Sequence, residues 1–186
     1  MRIGESIVIP FRLVFIMWAT YILGSMINFD IALLGIYPRT FLGMIGILFA
    51  PMIHGSVMHL VSNTVPLLFL GTILFMFYDR IARRVFFQCY FYTNILVWIF
   101  GRASYHIGAS GLVYGLASFL IFYGIFKKDF RSLFISIIIL ILYGSLIYGI
   151  LPLREGISWE SHLLGALIGI GTASQMSKLR YVSSGP

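Results

Sequence analysis

The sequence predicts an all-α membrane protein, a six-transmembrane-helix bundle with a long membrane-interface loop between helices 1 and 2. Three observations predict it. Of 186 residues, 60% are hydrophobic and 10% charged, whereas a soluble domain carries about 25% charged residues. Apolar runs long enough, or nearly so, to cross a hydrocarbon core of about 30 Å recur along the chain. The cations gather in short segments between those runs. A mean hydropathy of +0.97 leaves too little polar surface to cover a water-exposed globule, so the expected solvent is lipid. The length suits a single domain over 1–186. The net charge of +7 would suit nucleic acid, but no basic stripe with interleaved aromatics occurs, and no nucleic-acid partner is expected.

The spans fall at roughly 10–28, 57–77, 84–101, 110–126, 131–151 and 158–175. Three connectors, "YDRIARR", "KKDFR" and the tail "SKLRY", hold most of the charge. With Arg2 and Arg12 they put most Lys and Arg on one face, leaving Arg39, Arg102 and Arg154 on the other. The positive-inside bias then places both termini in the cytoplasm. The first run lacks a small-residue cleavage site and is expected to be a retained span, not a signal peptide. Cys89 is the sole cysteine, which excludes an intrachain disulfide.

The segment 29–56 between the first two spans is too long for a turn and too apolar for a solvated loop. Pro38, Pro51 and its glycines break it up, so it is expected to lie partly in the outer interface, with Tyr37 and Arg39 near the headgroups.

On this topology spans two, four and six all run from outside to inside, and each carries polar residues in its first turns. His59 and Asn63, Ser110, and His162 therefore fall in the outer third of the membrane, where polar side chains are costly and mark function. His59 and Asn63 are i and i+4 on one helix face, as are Ser110 and Tyr114. Span four is only about 25 Å long, so its start is expected to lie below the outer surface, in a dent open to water. Gly111 with Gly115, and Gly165 with Gly169, are small-xxx-small pairs that let helices four and six approach closely. Gly108 and Gly111 strip bulk from around Ser110.

An alcohol is a poor nucleophile until a base takes its proton, and histidine is the usual base. All six acids lie in loops or at span ends, and Glu160 points to a different helix face from His162. The sequence therefore predicts a Ser110–His162 dyad without a buried carboxylate, with Tyr114 packing the imidazole. A tetrahedral oxyanion would find donors in His59, Asn63 and the Ser110 N–H. Asn63 also fits plain interhelical hydrogen bonding. His106 reads as a loop residue. His54 and His59 are five apart with no glutamate after His54, so neither a metal nor any other cofactor is expected.

"HGSVMHLVSN", "GASG" with Tyr114 four residues after the serine, and "HLLGALIG" together resemble the rhomboid family of intramembrane serine proteases. The motifs come in that family's order on spans two, four and six, and the likeness covers nearly the whole chain. The resemblance implies Ser110 as nucleophile, His162 as general base, His59 and Asn63 at the oxyanion site, and His54 as a support at the loop edge, although His54 also fits a structural role. It implies membrane-anchored protein substrates cut in or near their membrane segment, with span five swinging aside and loop 152–158 capping the site. Many members carry a Trp-Arg pair in the first outer loop; here Tyr37-Pro38-Arg39 is the nearest basic feature. A relative that binds transmembrane clients without cutting them is the alternative, and a channel ranks last because the inner halves of the spans offer no polar path. The small size and bare termini suggest a bacterial inner membrane.

Overall fold

The structure is a computed structural model that describes residues 7–27, 30–152 and 156–179. Arg2, Arg154 and Arg180 of the charge topology, Asn28 of the first expected span and residues 153–155 of the expected cap loop lie outside these. Long helices occupy Val8–Met26 (α1), Val57–Phe77 (α2), Asp79–Phe100 (α3), Ser110–Lys127 (α4), Phe130–Tyr143 (α5) and Trp159–Ser177 (α6). No strand occurs among the described residues; one isolated backbone bridge joins Ile36 and His106.

Local chemistry sets the helix ends. The Ser56 hydroxyl caps α2 by accepting from the His59 N–H at 3.1 Å, so the cap also fixes where His59 sits. Lys128 ends α4 in the left-handed conformation. Asp129 then caps α5, accepting from the Ser132 N–H at 2.9 Å. At the far end of α2, Arg131 lies over the Phe77 ring and donates to its carbonyl, a cation against the negative end of a helix dipole.

α1, α2, α4 and the segment Phe130–Ile150 are long and apolar enough to cross a membrane. α3 and α6 sit where spans three and six were expected but are less apolar. α3 opens with "DRIARR" and carries Gln88 and Asn94; glycines, serines, Glu160 and His162 dilute α6. Thr93 and Asn94 of α3 and Glu160, His162 and Thr172 of α6 are buried against protein, and Gln88 donates to Gln175 between the two helices. The fifth expected span is a composite, in which α5 gives way at Gly144 to the 3-10 segment Gly144–Ile150.

α4 is the axis of the bundle. Within its apolar window 61% of residues are buried, against 17% for Phe130–Ile150, which lies at the periphery. Its closest partner is α6, because the glycine pairs abut. A Cβ on Gly165 would collide with the Gly111 carbonyl, and one on Gly169 with the Gly115 carbonyl. Behind them Gly115 faces Cys89 of α3.

The first loop folds into short turns, Ile31–Leu34, Leu42–Met44, Gly46–Phe49 and Ala50–Met52. One stripe of α3 holds it. Tyr90, Asn94 and Trp98, spaced four apart, donate to the carbonyls of Leu48, Ile47 and Thr40. Arg39 replies from the loop, donating from its guanidinium to Ile99 O at 3.1 Å and Gly101 O at 2.8 Å. These carbonyls end α3, where a cation is favoured. Arg39 thus anchors the loop without the Trp-Arg pair.

Candidate active site

Three turns built by sequence meet at one end of the bundle. Ser110 opens α4, His162 lies in the first turn of α6, and His59 lies in the first turn of α2. His162 Nε2 is 2.9 Å from Ser110 Oγ. Its other nitrogen, Nδ1, is 2.8 Å from the Gly149 carbonyl. A carbonyl only accepts, so the neutral ring carries its proton on Nδ1 and leaves the Nε2 lone pair facing the serine hydroxyl. The Tyr114 ring lies flat against the imidazole, with centroids 4.2 Å apart and planes within 4°. Stack and hydrogen bond together fix both position and rotation of the imidazole.

Glu160 corrects the expectation that no carboxylate is buried. It is 5% exposed, but Arg102 claims it: the guanidinium reaches it at 3.2 Å and the Arg102 N–H at 3.4 Å. The place a triad carboxylate would occupy on Nδ1 belongs to a backbone carbonyl, which sequence reasoning had no way to see.

Gly108 shapes the space beside the serine. Its φ of +101° favours glycine, and a Cβ there would lie 2.6 Å from His59 Nε2 and 3.7 Å from Asn63 Nδ2. The missing side chain lets His59 and Asn63 border the same hollow as Ser110. Asn63 is buried and donates one amide hydrogen to His59 O at 3.0 Å; the second remains for another acceptor. Ser110, His162, His59, Asn63 and Tyr114 all line a cavity of about 900 Å³, together with Leu146 and Gly156–Ser158. Were this cavity a protease active site, Gly108→Ala would be expected to cut turnover about 100-fold or more, through strain and intrusion on His59. Rates on a membrane substrate, with thermal unfolding as the folding control, check it.

His54 lies outside this cavity's lining. It is 1% exposed and packs edge-on against His59 with centroids 4.9 Å apart. Neither ring nitrogen makes a hydrogen bond of ordinary geometry, although the Met52 backbone lies close. Burial, and then the neighbouring His59, bring its pKa down from 6.5 to about 4. A histidine with a depressed folded pKa is neutral in the fold while the unfolded chain takes up protons, so its contribution is intact above pH 6.5 and is lost as pH falls toward 4. Unfolding temperature is expected to drop over that window, and His54→Phe, which keeps the ring contact, is expected to flatten the drop.

His106, read from sequence as a loop residue, is buried. Its ring bonds Ser158 Oγ and the Arg102 carbonyl. Among the described residues, no three His, Cys, Asp or Glu side chains gather to hold a metal ion.

An all-helical integral membrane protein with a serine–histidine pair facing a cavity is the class that fold and site define. The chain matches the Rhomboid domain over residues 42–178 and belongs to the rhomboid family. It is 32% identical over 160 residues to an uncharacterized protein of Mycobacterium tuberculosis (strain ATCC 25618 / H37Rv), covering 77% of this chain and 63% of that protein. To an uncharacterized protein of Mycobacterium leprae (strain TN) it is 33% identical over 149 residues, 71% of this chain and 56% of the relative. The chain thus spans less than two thirds of the length of these relatives.

Proposed function

We propose that the chain is an intramembrane serine endopeptidase that cuts membrane-anchored proteins in or near their transmembrane segment. The observation that carries this reading is the 2.9 Å contact between Ser110 Oγ and a histidine nitrogen whose partner nitrogen is already engaged.

In the proposed reaction Ser110 Oγ attacks the scissile carbonyl carbon while its proton passes to His162 Nε2. The carbonyl oxygen becomes an oxyanion beside His59, Asn63 and the Ser110 N–H, and the first turn of α4 adds its dipole. The C–N bond then breaks as His162 returns the proton to the leaving amine, leaving an ester on Ser110. A water from the cavity gives a proton to His162 and attacks that ester. Collapse of the second tetrahedral adduct frees the acid and restores the serine O–H.

α1 to α6 all cross the membrane in this reading, with Thr93 and Asn94 of α3 and Glu160, His162 and Thr172 of α6 turned toward protein. Charge distribution favours cytoplasmic termini and an outward-facing site, and the bacterial relatives favour a cytoplasmic membrane. The peripheral Phe130–Ile150 segment is the wall most readily displaced for a substrate helix. Gly156–Ser158 would cap the site.

The test is cleavage of single-span proteins in reconstituted vesicles, with the cut mapped by mass spectrometry. A cut within or beside the outer part of the membrane segment supports the proposal. Substrates that the protein holds but leaves whole would overturn it in favour of client binding.

A further inference from the structure

We propose that His106 and Ser158 form a clamp that sets the separation of Ser110 and His162, so that both act as positioning residues. They do so only if the dyad performs the chemistry proposed above. His106 lies four residues before Ser110, and Ser158 lies four residues before His162. Their side chains meet, His106 Nδ1 to Ser158 Oγ at 2.5 Å. One bond therefore joins the loop that delivers the nucleophile to the turn that delivers the base.

Its polarity follows from the neighbours. His106 Nε2 is 3.0 Å from the Arg102 carbonyl, which only accepts, so Nε2 carries the proton and Nδ1 accepts from the Ser158 hydroxyl. Ser158 Oγ lies 2.6 Å from Ser161 Oγ and in turn accepts from that hydroxyl. The chain of donors runs in one direction and each member has a partner. Burial lowers the His106 pKa, which keeps Nδ1 an acceptor.

The anchor is firm on the loop side. His106 exchanges both backbone bonds with Ile36, at 2.8 and 3.0 Å, and Ile36 belongs to the loop that α3 holds through Tyr90, Asn94 and Trp98. On the helix side Ser158 O accepts from the His162 N–H at 3.4 Å, so a shift of Ser158 moves the turn bearing the base. A parallel tie, Arg102 to Glu160 and to Ile157 O at 2.7 Å, holds the same helix end. That tie is expected to keep the fold together when Ser158 is changed, so that the loss reads position and not unfolding.

The experiment compares Ser158→Ala, His106→Ala, His106→Asn and the Ser158→Ala/His106→Ala pair. Cleavage kinetics in vesicles are measured for each, and an experimental structure is solved for Ser158→Ala. A misplacement of about 1 Å costs about 100-fold, so kcat is expected to fall between about tenfold and 100-fold in each alanine variant with KM unchanged. The double variant is expected to lose no more than the worse single. Asparagine offers Oδ1 where Nδ1 stood, and His106→Asn is expected to recover most of kcat. In Ser158→Ala the Ser110 Oγ–His162 Nε2 distance is expected to lengthen beyond hydrogen-bond range. Wild-type kcat with an unchanged distance, additive losses, or no recovery in His106→Asn would each overturn the clamp and leave the protease reading intact. A wild-type protein that cleaves nothing overturns the protease reading, while the distance in Ser158→Ala still decides the clamp.

Discussion

Ser110→Ala is expected to lower cleavage of a membrane-anchored substrate at least about 10³-fold, and His162→Ala by a similar factor. The double variant is expected to be no slower than either single, because in the proposed reaction nucleophile and base act as one unit and removing one already silences the other. The background left over comes from groups that need no proton transfer, His59 and Asn63 among them. The unfolding temperature of Ser110→Ala should stay near that of the parent, because the 2.9 Å hydrogen bond lost is worth about 1 kcal/mol net, whereas His162→Ala also gives up the Gly149 bond and the Tyr114 stack and is expected to melt lower. Rates with matched melting curves check both halves. Losses that multiply in the double variant would mean that the two residues work separately.

Gly165→Val is expected to have the next largest effect, on stability and activity together. The added Cβ meets the Gly111 backbone, not a side-chain tip, so no rotamer change relieves it. Overpacking of this kind costs about 1–3 kcal/mol. Relief requires α6 to move away from α4, and these are the helices that carry His162 and Ser110, one residue ahead of Gly111. Turnover is therefore expected to fall about 100-fold even in the fraction that stays folded. Gly171 is the control on the same helix. Nothing lies within 4 Å of its would-be Cβ, so Gly171→Ala is expected to leave activity unchanged and stability equal or higher by up to about 1 kcal/mol. Detergent-resistant unfolding and single-turnover rates separate the two positions. Equal tolerance of both would mean that α4 and α6 do not touch as described.

Much of the site could be read from sequence because its logic is helical spacing. Ser110 with Tyr114, and His59 with Asn63, are one turn apart, and a turn apart on a helix means one face. The glycine pairs announced a close helix contact for the same reason: small residues four apart leave one groove. What stayed hidden has no side-chain signature. The Gly149 carbonyl that fixes the His162 tautomer is a backbone atom in a 3-10 segment, and nothing in "YGSLIYGI" marks it as a histidine partner. His106 was passed over because its value lies in long-range partners, Ile36 and Ser158, which loop composition does not encode. Glu160 looked like a helix-end acid, and only the return of Arg102 across the site buries it. α3 and α6 are less apolar than the other long helices, because part of their sequence goes to contacts with protein, Asn94 to the Ile47 carbonyl and Glu160 to Arg102 among them.

The most direct measurement is reaction of the folded, reconstituted protein with a fluorophosphonate, with the adduct located by peptide mass spectrometry. One phosphonyl group on Ser110 Oγ, formed in the parent and lost in His162→Ala, is the predicted result. A folded parent that takes no label at Ser110, or an equal labelling rate after removal of His162, would contradict an activated serine in this cavity.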